Sequence, residues 1–292
     1  MEAFQNKLVV CLLSAQDVDS DSLLLSGMDF AEELFSKFKR RITNVSCGIR
    51  LEAREKIQMK SGKFYDYARK QNAITSGIQS SAILNVTLYA MPPEFASAAF
   101  DWSFIVEFGA FPQFGVSLFQ FGIDVSGGES YFCDCKPEIL KLWVKMLDFL
   151  SGARYGFASV MPAIYMPIGY ATGLMGRAPD ELMHDANAWR NGVGNDLKRM
   201  RSVHGLNLVS KDVLTRPVGG IALDRWIQSG DGNRGALTQF STELSCWSFF
   251  DSGNCQETIN WNNPRVTSTR NELMALQVFP WQEWLKIRQQ RP

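Results

Sequence analysis

The two histidines are the first residues to consider for chemistry, because imidazole is the side chain that most readily exchanges protons near neutral pH. His184 and His204 both lack the partner of an HxH or HExxH metal motif. In Glu181-Leu-Met-His-Asp185, the Asp185 carboxylate could orient His184 as in an acid–base pair. The polar segment around His184 favours an exposed residue instead, and the strand-like surroundings of His204 favour a structural, hydrogen-bonded one. We therefore expect no catalytic residue at either position.

The six cysteines do not form a metal-binding pattern. Cys133-Asp-Cys135 is too closely spaced for a C-x₂-C knuckle and has no second pair or nearby histidine. Most of the others lie in apolar runs, as is typical of free thiols packed in a core. The sequence thus predicts no metal, no cofactor and a reducing compartment.

Common catalytic fingerprints are missing from the sequence. It contains no G-x-S-x-G elbow, no P-loop and no G-x-G-x-x-G motif. The nearest glycine-rich stretch, residues 169–176, lacks the following Lys-Ser/Thr and is better explained by turns. This pattern disfavours the common hydrolase, nucleotidase and dinucleotide-dependent designs.

The elements that would position a site alternate irregularly along the chain. Apolar patterning predicts helices beginning at Asp29, Pro137, Ser210, Ile221 and Asn271, a tight turn at Gly219-Gly220, and strands at residues 8–14, 45–51, 84–89, 104–108, 116–125, 157–161, 203–208 and 242–250. Residues 54–80 have no clear period and are expected to form a long surface excursion. We predict an α+β fold with mixed or antiparallel sheets packed against helices. The order of the elements also allows a duplicated strand–helix–strand unit.

Composition limits the compartment and the partners. Thirty basic and thirty acidic residues give a formal net charge of zero, so there is no overall electrostatic footprint for nucleic acid or an anionic membrane. The apolar run after Lys7 has the outline of a short signal peptide but is better explained as a buried first strand. We expect a cytoplasmic protein that folds as one compact unit over residues 1–292, with halves at 1–125 and 126–292 as the alternative.

Three pieces of the second half, in order, carry a family resemblance. They are Pro137-Glu138-Ile-Leu-Lys-Leu-Trp143 with Gly152-Ala-Arg-Tyr-Gly156-Phe157, then Lys198 to Leu208 with Asp212-Val-Leu214 and Gly219-Gly220, and finally Leu273 to Pro280. Over residues 100–285 the chain resembles the bacterial type VI immunity-protein family, which is also classified as a domain of unknown function. Members of that family neutralise toxins delivered by contact-dependent secretion. The sequence departs from the family pattern at Gly205, where an aromatic residue is expected.

The resemblance implies an immunity protein that binds a cognate toxin, blocks its active site and has no catalytic residues of its own. Acids in loop-like segments would complement a basic toxin groove, and an aromatic side chain could anchor the contact. The candidate contact residues are Asp180, Glu181, Asp185, Asp231, Asp251, Glu257 and Trp261. Trp247, inside an apolar strand, is expected in the core.

Two other functions remain open. One is an enzyme with a dispersed active site that involves His184 and Asp185. The other is a structural or adaptor subunit. The expected partner is a toxin rather than nucleic acid or a membrane. The sequence is also compatible with a homodimer.

Overall fold

The apolar run near the N-terminus forms β1 (Asn6–Ala15), in which residues 8–13 are fully buried. The structure is a computed structural model, and it describes residues 6–15, 20–54, 57–90, 104–125, 135–150, 152–173, 175–193, 197–249 and 259–290. β1 pairs antiparallel with β6 on one side and with β7 on the other. The strand predicted at residues 8–14 is therefore confirmed as the centre of the fold.

Ten strands form one sheet in the order β11-β12-β8-β7-β1-β6-β5-β4-β2-β3, and every neighbouring pair is antiparallel. The strands are β2 (Asn44–Ile49), β3 (Tyr65–Asp66), β4 (Ile83–Ala90), β5 (Phe104–Phe111), β6 (Val116–Asp124), β7 (Ala153–Pro162), β8 (Leu206–Ser210), β11 (Ala236–Gln239) and β12 (Leu244–Ser248). A separate hairpin joins β9 (Pro217–Val218) to β10 (Ile221–Ala222). Because β7 pairs directly with β1, strands from residues 1–125 and 126–292 share this sheet.

Helices lie on both faces of the sheet. They are α1 (Ser20–Lys37), α2 (Tyr67–Gln79), α3 (Cys135–Phe149), α4 (Pro167–Ala171), α5 (Asp180–Arg190), α6 (Lys211–Leu214), α7 (Leu223–Gln228), α8 (Pro264–Ala275) and α9 (Pro280–Gln289). Leu8, Val10 and Leu12 of β1 face the core under α1–α3, whereas Val9, Cys11 and Leu13 face the core under the later helices. This is the two-residue side-chain period of a strand buried on both faces. The α+β fold is confirmed.

Two strand–helix–strand units are visible on the first face. α1 follows β1 and leads to β2, and α3 lies between β6 and β7, which both run antiparallel to β1. The apolar stripe predicted to make α3 a core helix is confirmed, since Ile139, Trp143 and Met146 are fully buried. α1 begins at Ser20, nine residues before the predicted cap at Asp29.

Three segments differ from the sequence-based expectation. Residues 67–79 form α2 rather than part of an irregular excursion, and the Asp66 side chain caps this helix by accepting from Arg69 N–H. Residues 180–190 form α5 rather than a loop. α8 begins at Pro264 rather than Asn271, because Asn263 caps it by accepting from the N–H groups of residues 265 and 266. Each helix has few apolar residues, so its period is weak in the sequence.

Candidate functional site

A buried ion pair joins α5 to the segment before β8. Arg201 donates from Nε to Asp185 Oδ2 at 3.1 Å, and its Nη2 lies 3.0 Å from the same oxygen. Nη1 donates to the carbonyl oxygen of Ala171 at 3.0 Å, and Nη2 also donates to that of Tyr170 at 2.8 Å. The guanidinium also lies between the rings of Tyr170 and Trp189, 4.4 and 4.3 Å from their centroids. Arg201 is thus fully engaged inside the protein.

Charge state follows from this arrangement. Burial alone would lower the pKa of the Arg201 guanidinium, but the Asp185 carboxylate raises it, so Arg201 stays charged. Burial raises the pKa of Asp185, and the positive charge of Arg201 opposes that rise. A buried, hydrogen-bonded pair of this kind holds packing elements in register, and its removal from one side is costly.

The acid–base pair that His184 and Asp185 could form is not assembled in this structure. Asp185 is 4% exposed and hydrogen-bonds with Arg201. The His184 ring instead packs on Trp281 of α9 at a centroid distance of 5.8 Å. Neighbouring residues on a helix point about 100° apart, so one cannot orient the other when each faces a different partner. Asp185 was also a candidate for toxin contact, and its burial removes it from the surface.

His204 lies in an aromatic cage at the centre of the second face. Its ring stacks on Phe157 at 4.4 Å and lies 5.6 and 5.5 Å from the rings of Tyr170 and Trp261. Neither ring nitrogen has a hydrogen-bond partner among the described residues. Burial first, and then the nearby charges of Arg270 and Arg201, lower the pKa of His204 well below its ordinary value. His204 is therefore a neutral packing residue, in agreement with a structural role but without the expected hydrogen bond.

Trp261 is the second contact candidate that the structure places in the interior. It is 1% exposed, and the Arg270 guanidinium carbon lies 3.3 Å from its ring centroid. Arg270 also donates to the carbonyl oxygens of Val203 and Trp261. The expectation of an accessible loop aromatic is wrong, because an isolated bridge to β7 at Asn260 draws this segment against the sheet. Trp247 is fully buried, as predicted.

Thiols and carboxylates do not assemble into a reactive cluster in the part of the chain that the structure describes. Cys11, Cys47 and Cys246 are free and buried. Burial raises the pKa of the Cys47 thiol to about 12 and that of Cys246 to about 11, which suppresses their reactive thiolate forms. Within the described residues, no group of three or more His, Cys, Asp or Glu side chains could hold a metal ion.

Three of the acidic candidates are described and at least partly accessible. Asp180 is exposed and Glu181 partly exposed in the first turn of α5, where acidic residues suit the helix dipole. Asp231 is exposed in the turn after α7 with a left-handed φ of 45°. Arg234 anchors this turn by donating to Trp226 O and by its 2.7 Å pair with Glu272. Asp251 and Glu257 lie outside the described residues.

A surface cleft, which the sequence did not reveal, separates the β9–β10 hairpin from the junction of α8 and α9. The hairpin turns through Gly219 and Gly220, whose φ values of 58° and 90° match a type I′ turn and confirm the predicted tight turn. A β-carbon at Gly219 would lie 3.6 Å from Leu276 Cδ2, so the turn lies close to the end of α8. The cleft has a volume of about 260 Å³.

Charged and apolar side chains share the lining of this cleft. Its apolar floor includes Met200, Val213, Val218, Leu223 and Val278. Arg199 and Glu283 form an exposed ion pair there, with Nη1 and Oε2 2.9 Å apart. Arg216 is partly exposed, and its guanidinium has no hydrogen bond or ion pair with any described residue. Leu276 is 42% exposed at the rim.

A polar patch crosses the middle of the sheet on the same face as the second core. Glu107 accepts from Gln120 Nε2 at 2.5 Å and from Thr87 Oγ1 at 3.2 Å. Gln120 also donates to Ile168 O of α4. Burial raises the pKa of Glu107, while these two hydrogen bonds to the carboxylate oppose the rise. Glu107 thus has a carboxyl group with a raised pKa, and Gln120 and Thr87 contact it as hydrogen-bond donors.

A second depression lies where β2 ends and α2 is followed by β4. It has a volume of about 490 Å³ and is lined by residues 50, 52, 53 and 80–82. Its Ser81 hydroxyl already donates to the Asp21 carboxylate. Its lining contains one basic and one acidic residue, and its apolar residues are alanines. This lining does not indicate a particular class of ligand.

No protein-family model and no curated protein matches this chain. Among solved structures, the chain is similar to the Pseudomonas aeruginosa T6SS protein PA0821, where T6SS denotes the type VI secretion system. The TM-score is 0.51 at 10% sequence identity, over 92% of this chain and 73% of that one. At this identity the similarity shows a shared fold. None of the helices in the described residues is long and apolar enough to cross a membrane.

Proposed function

We propose that this chain is an immunity protein that binds a cognate toxin, the effector of a type VI secretion system, and blocks its active site in the cytoplasm of the producing cell. The observation that carries the proposal is the fold shared with a T6SS protein over 92% of the chain. The fold likeness supports association with such a system. Toxin neutralisation is the finer inference, drawn from the resemblance of residues 100–285 to the immunity family.

The engagement of the ionisable groups supports binding over chemistry. Asp185, Arg201 and His204 have the residue types of a catalytic centre, yet each is at most 4% exposed and packed by neighbours that satisfy or enclose it. A general base must reach the proton it removes, either directly or through one water. In this arrangement the three groups hold the second layer of helices on the sheet.

The accessible acids support recognition of a basic surface. Asp180 and Asp231 are exposed, and Glu181 is partly exposed next to Asp180. If the toxin is a nuclease, its substrate groove is basic, and acids that face this groove would speed association and exclude the substrate. We retain these three residues as contact candidates.

The test is co-expression with the product of the neighbouring gene, which the proposal expects to be the toxin. We expect that cells producing both proteins grow, that cells producing the toxin alone do not, and that the two proteins co-purify at a fixed ratio. The matched control is Arg201→Met, which breaks the buried pair and should weaken rescue because it lowers the stability of the fold. Persistent toxicity in the presence of soluble, folded wild-type protein would contradict the proposal. A stable complex without rescue would favour an adaptor subunit.

A further inference from the structure

We infer that the cleft between the β9–β10 hairpin and the α8–α9 junction is a docking surface for an acidic and apolar segment of the partner polypeptide. The inference rests on the proposed function for the partner's identity, the toxin. The cleft itself is defined by Arg199, Arg216, Leu276 and Glu283.

Apolar side chains at this cleft are exposed without an obvious structural need. Leu276 is 42% exposed at the end of α8, and Ile221 is 43% exposed where β10 leaves the Gly219-Gly220 turn. Leu276 lines the cleft beside its apolar floor, and Ile221 lies on the hairpin that borders it. Single exposed hydrophobic residues are common, but here two lie on elements that meet at one concave site. A partner side chain inserted into the cleft would bury the exposed apolar surface of Leu276.

The charged residues of the cleft favour an occupant with a negative charge. Arg216 has no ion pair or hydrogen bond for its guanidinium within the described ranges. Arg199 is held in place by Glu283 through Nη1, and with 40% exposure it keeps donors available for a second acceptor. Two arginines at one site are suited to a carboxylate, which a guanidinium can bind through two parallel hydrogen bonds. The complementary group is therefore an aspartate or glutamate of the partner.

Size and mixed character favour a polypeptide over other anions. The cleft volume of about 260 Å³ is below the roughly 300–1,000 Å³ of pockets that enclose small molecules. A nucleic-acid backbone is recognised by extended basic surfaces, whereas Glu283 places a carboxylate in this cleft. Arginine beside exposed aliphatic side chains is the composition of protein-interface anchors.

The experiment measures the affinity of the purified chain, as wild type and as two cleft variants, for the product of the neighbouring gene that the proposed function expects to be the toxin. Arg216→Glu reverses the unpaired charge, and Leu276→Asp places a charge on the apolar rim. Matched controls lie on the other side of the sheet: Arg69→Glu on α2, an exposed arginine, and Leu25→Asp on α1, whose leucine is 47% exposed. Circular dichroism melts establish that all four variants fold.

We expect each cleft variant to lose at least about tenfold in affinity, while the two controls stay within about threefold of wild type. Hydrogen exchange on the wild-type complex should add protection at residues 216–223 and 276–283. Wild-type binding that both cleft variants retain would overturn the docking inference and leave the immunity function standing. Absence of wild-type binding would instead overturn the immunity function, and the docking inference with it.

Discussion

Arg201 and Asp185 form a buried ion pair in which Nε and Nη2 lie 3.1 and 3.0 Å from the same carboxylate oxygen. Their side chains are 2% and 5% exposed. Because Arg201 also donates to two carbonyls near the end of α4, this one side chain connects α4, α5 and the segment that enters β8.

Arg201→Met should unfold the protein at markedly lower denaturant. Removal of one partner leaves an uncompensated buried carboxylate, which typically costs about 3–5 kcal/mol. The measurement is the free energy of unfolding from urea titration. The matched control is Arg154→Met, which breaks the exposed Arg154–Asp212 pair and should cost no more than about 1 kcal/mol. Equal losses for the two variants would show that burial does not strengthen the pair.

His204→Phe should retain the fold and change its acid dependence. In the wild-type protein, the folded-state pKa of His204 is lowered by burial, so the unfolded chain takes up a proton first as pH falls. Wild-type stability is therefore fully present above the unfolded value of about 6.5 and is lost as pH falls below it, by up to about 1.4 kcal/mol per pH unit. Phenylalanine removes this loss and keeps the stack on Phe157.

The measurement for His204 is urea unfolding of both proteins at pH 7.5 and 5.5. The stability of His204→Phe relative to wild type should increase towards the lower pH. A relative stability that is independent of pH would contradict a neutral, buried imidazole. His184→Phe is the control, because that histidine is partly exposed.

Glu107→Gln should remove a pH dependence of stability whose sign is opposite to that caused by His204. Burial raises the folded-state pKa of Glu107, so wild-type stability is full below the unfolded carboxyl value of about 4.3 and falls as pH rises towards the folded value. The variant lacks this carboxyl, and its stability relative to wild type should rise across the same window. Urea unfolding at pH 4, 5, 6 and 7 measures the difference.

Glu138 supplies the control for that experiment. Hydrogen bonds from Lys141 and then Lys37 lower its pKa, so the stability it contributes is lost as pH falls rather than as pH rises. Glu138→Gln should therefore show a small effect of the opposite sign. The same sign for both variants would contradict the assigned cause at Glu107.

Sequence patterning was sufficient where one element determines its own burial. The stripe on α3, the buried β1 and the Gly219-Gly220 turn were all predicted, because a helical period, an apolar run and a glycine pair are local signals. α5 was not predicted, because its few apolar residues are diluted by polar ones, and only the packed structure shows Leu182 and Trp189 as buried.

The candidate sites were harder to predict because they depend on long-range packing. Asp185 is predicted as a loop acid from its polar neighbours, but its ion pair with Arg201, which precedes β8, holds it in the interior. Trp261 is likewise withdrawn by Arg270 and by the bridge to β7. The cleft needs the hairpin and the α8–α9 junction in contact, and no local pattern at Gly219 or Leu276 indicates that contact.

Inhibition of the toxin by the purified chain tests the central claim most directly. The product of the neighbouring gene, which the proposal expects to be the toxin, is assayed in vitro while wild-type protein is added from substoichiometric amounts to a tenfold excess. We predict that toxin activity falls in proportion to added protein and ends near one equivalent, as expected for a tight inhibitor that covers the active site. Full toxin activity at tenfold excess of folded protein would contradict the account.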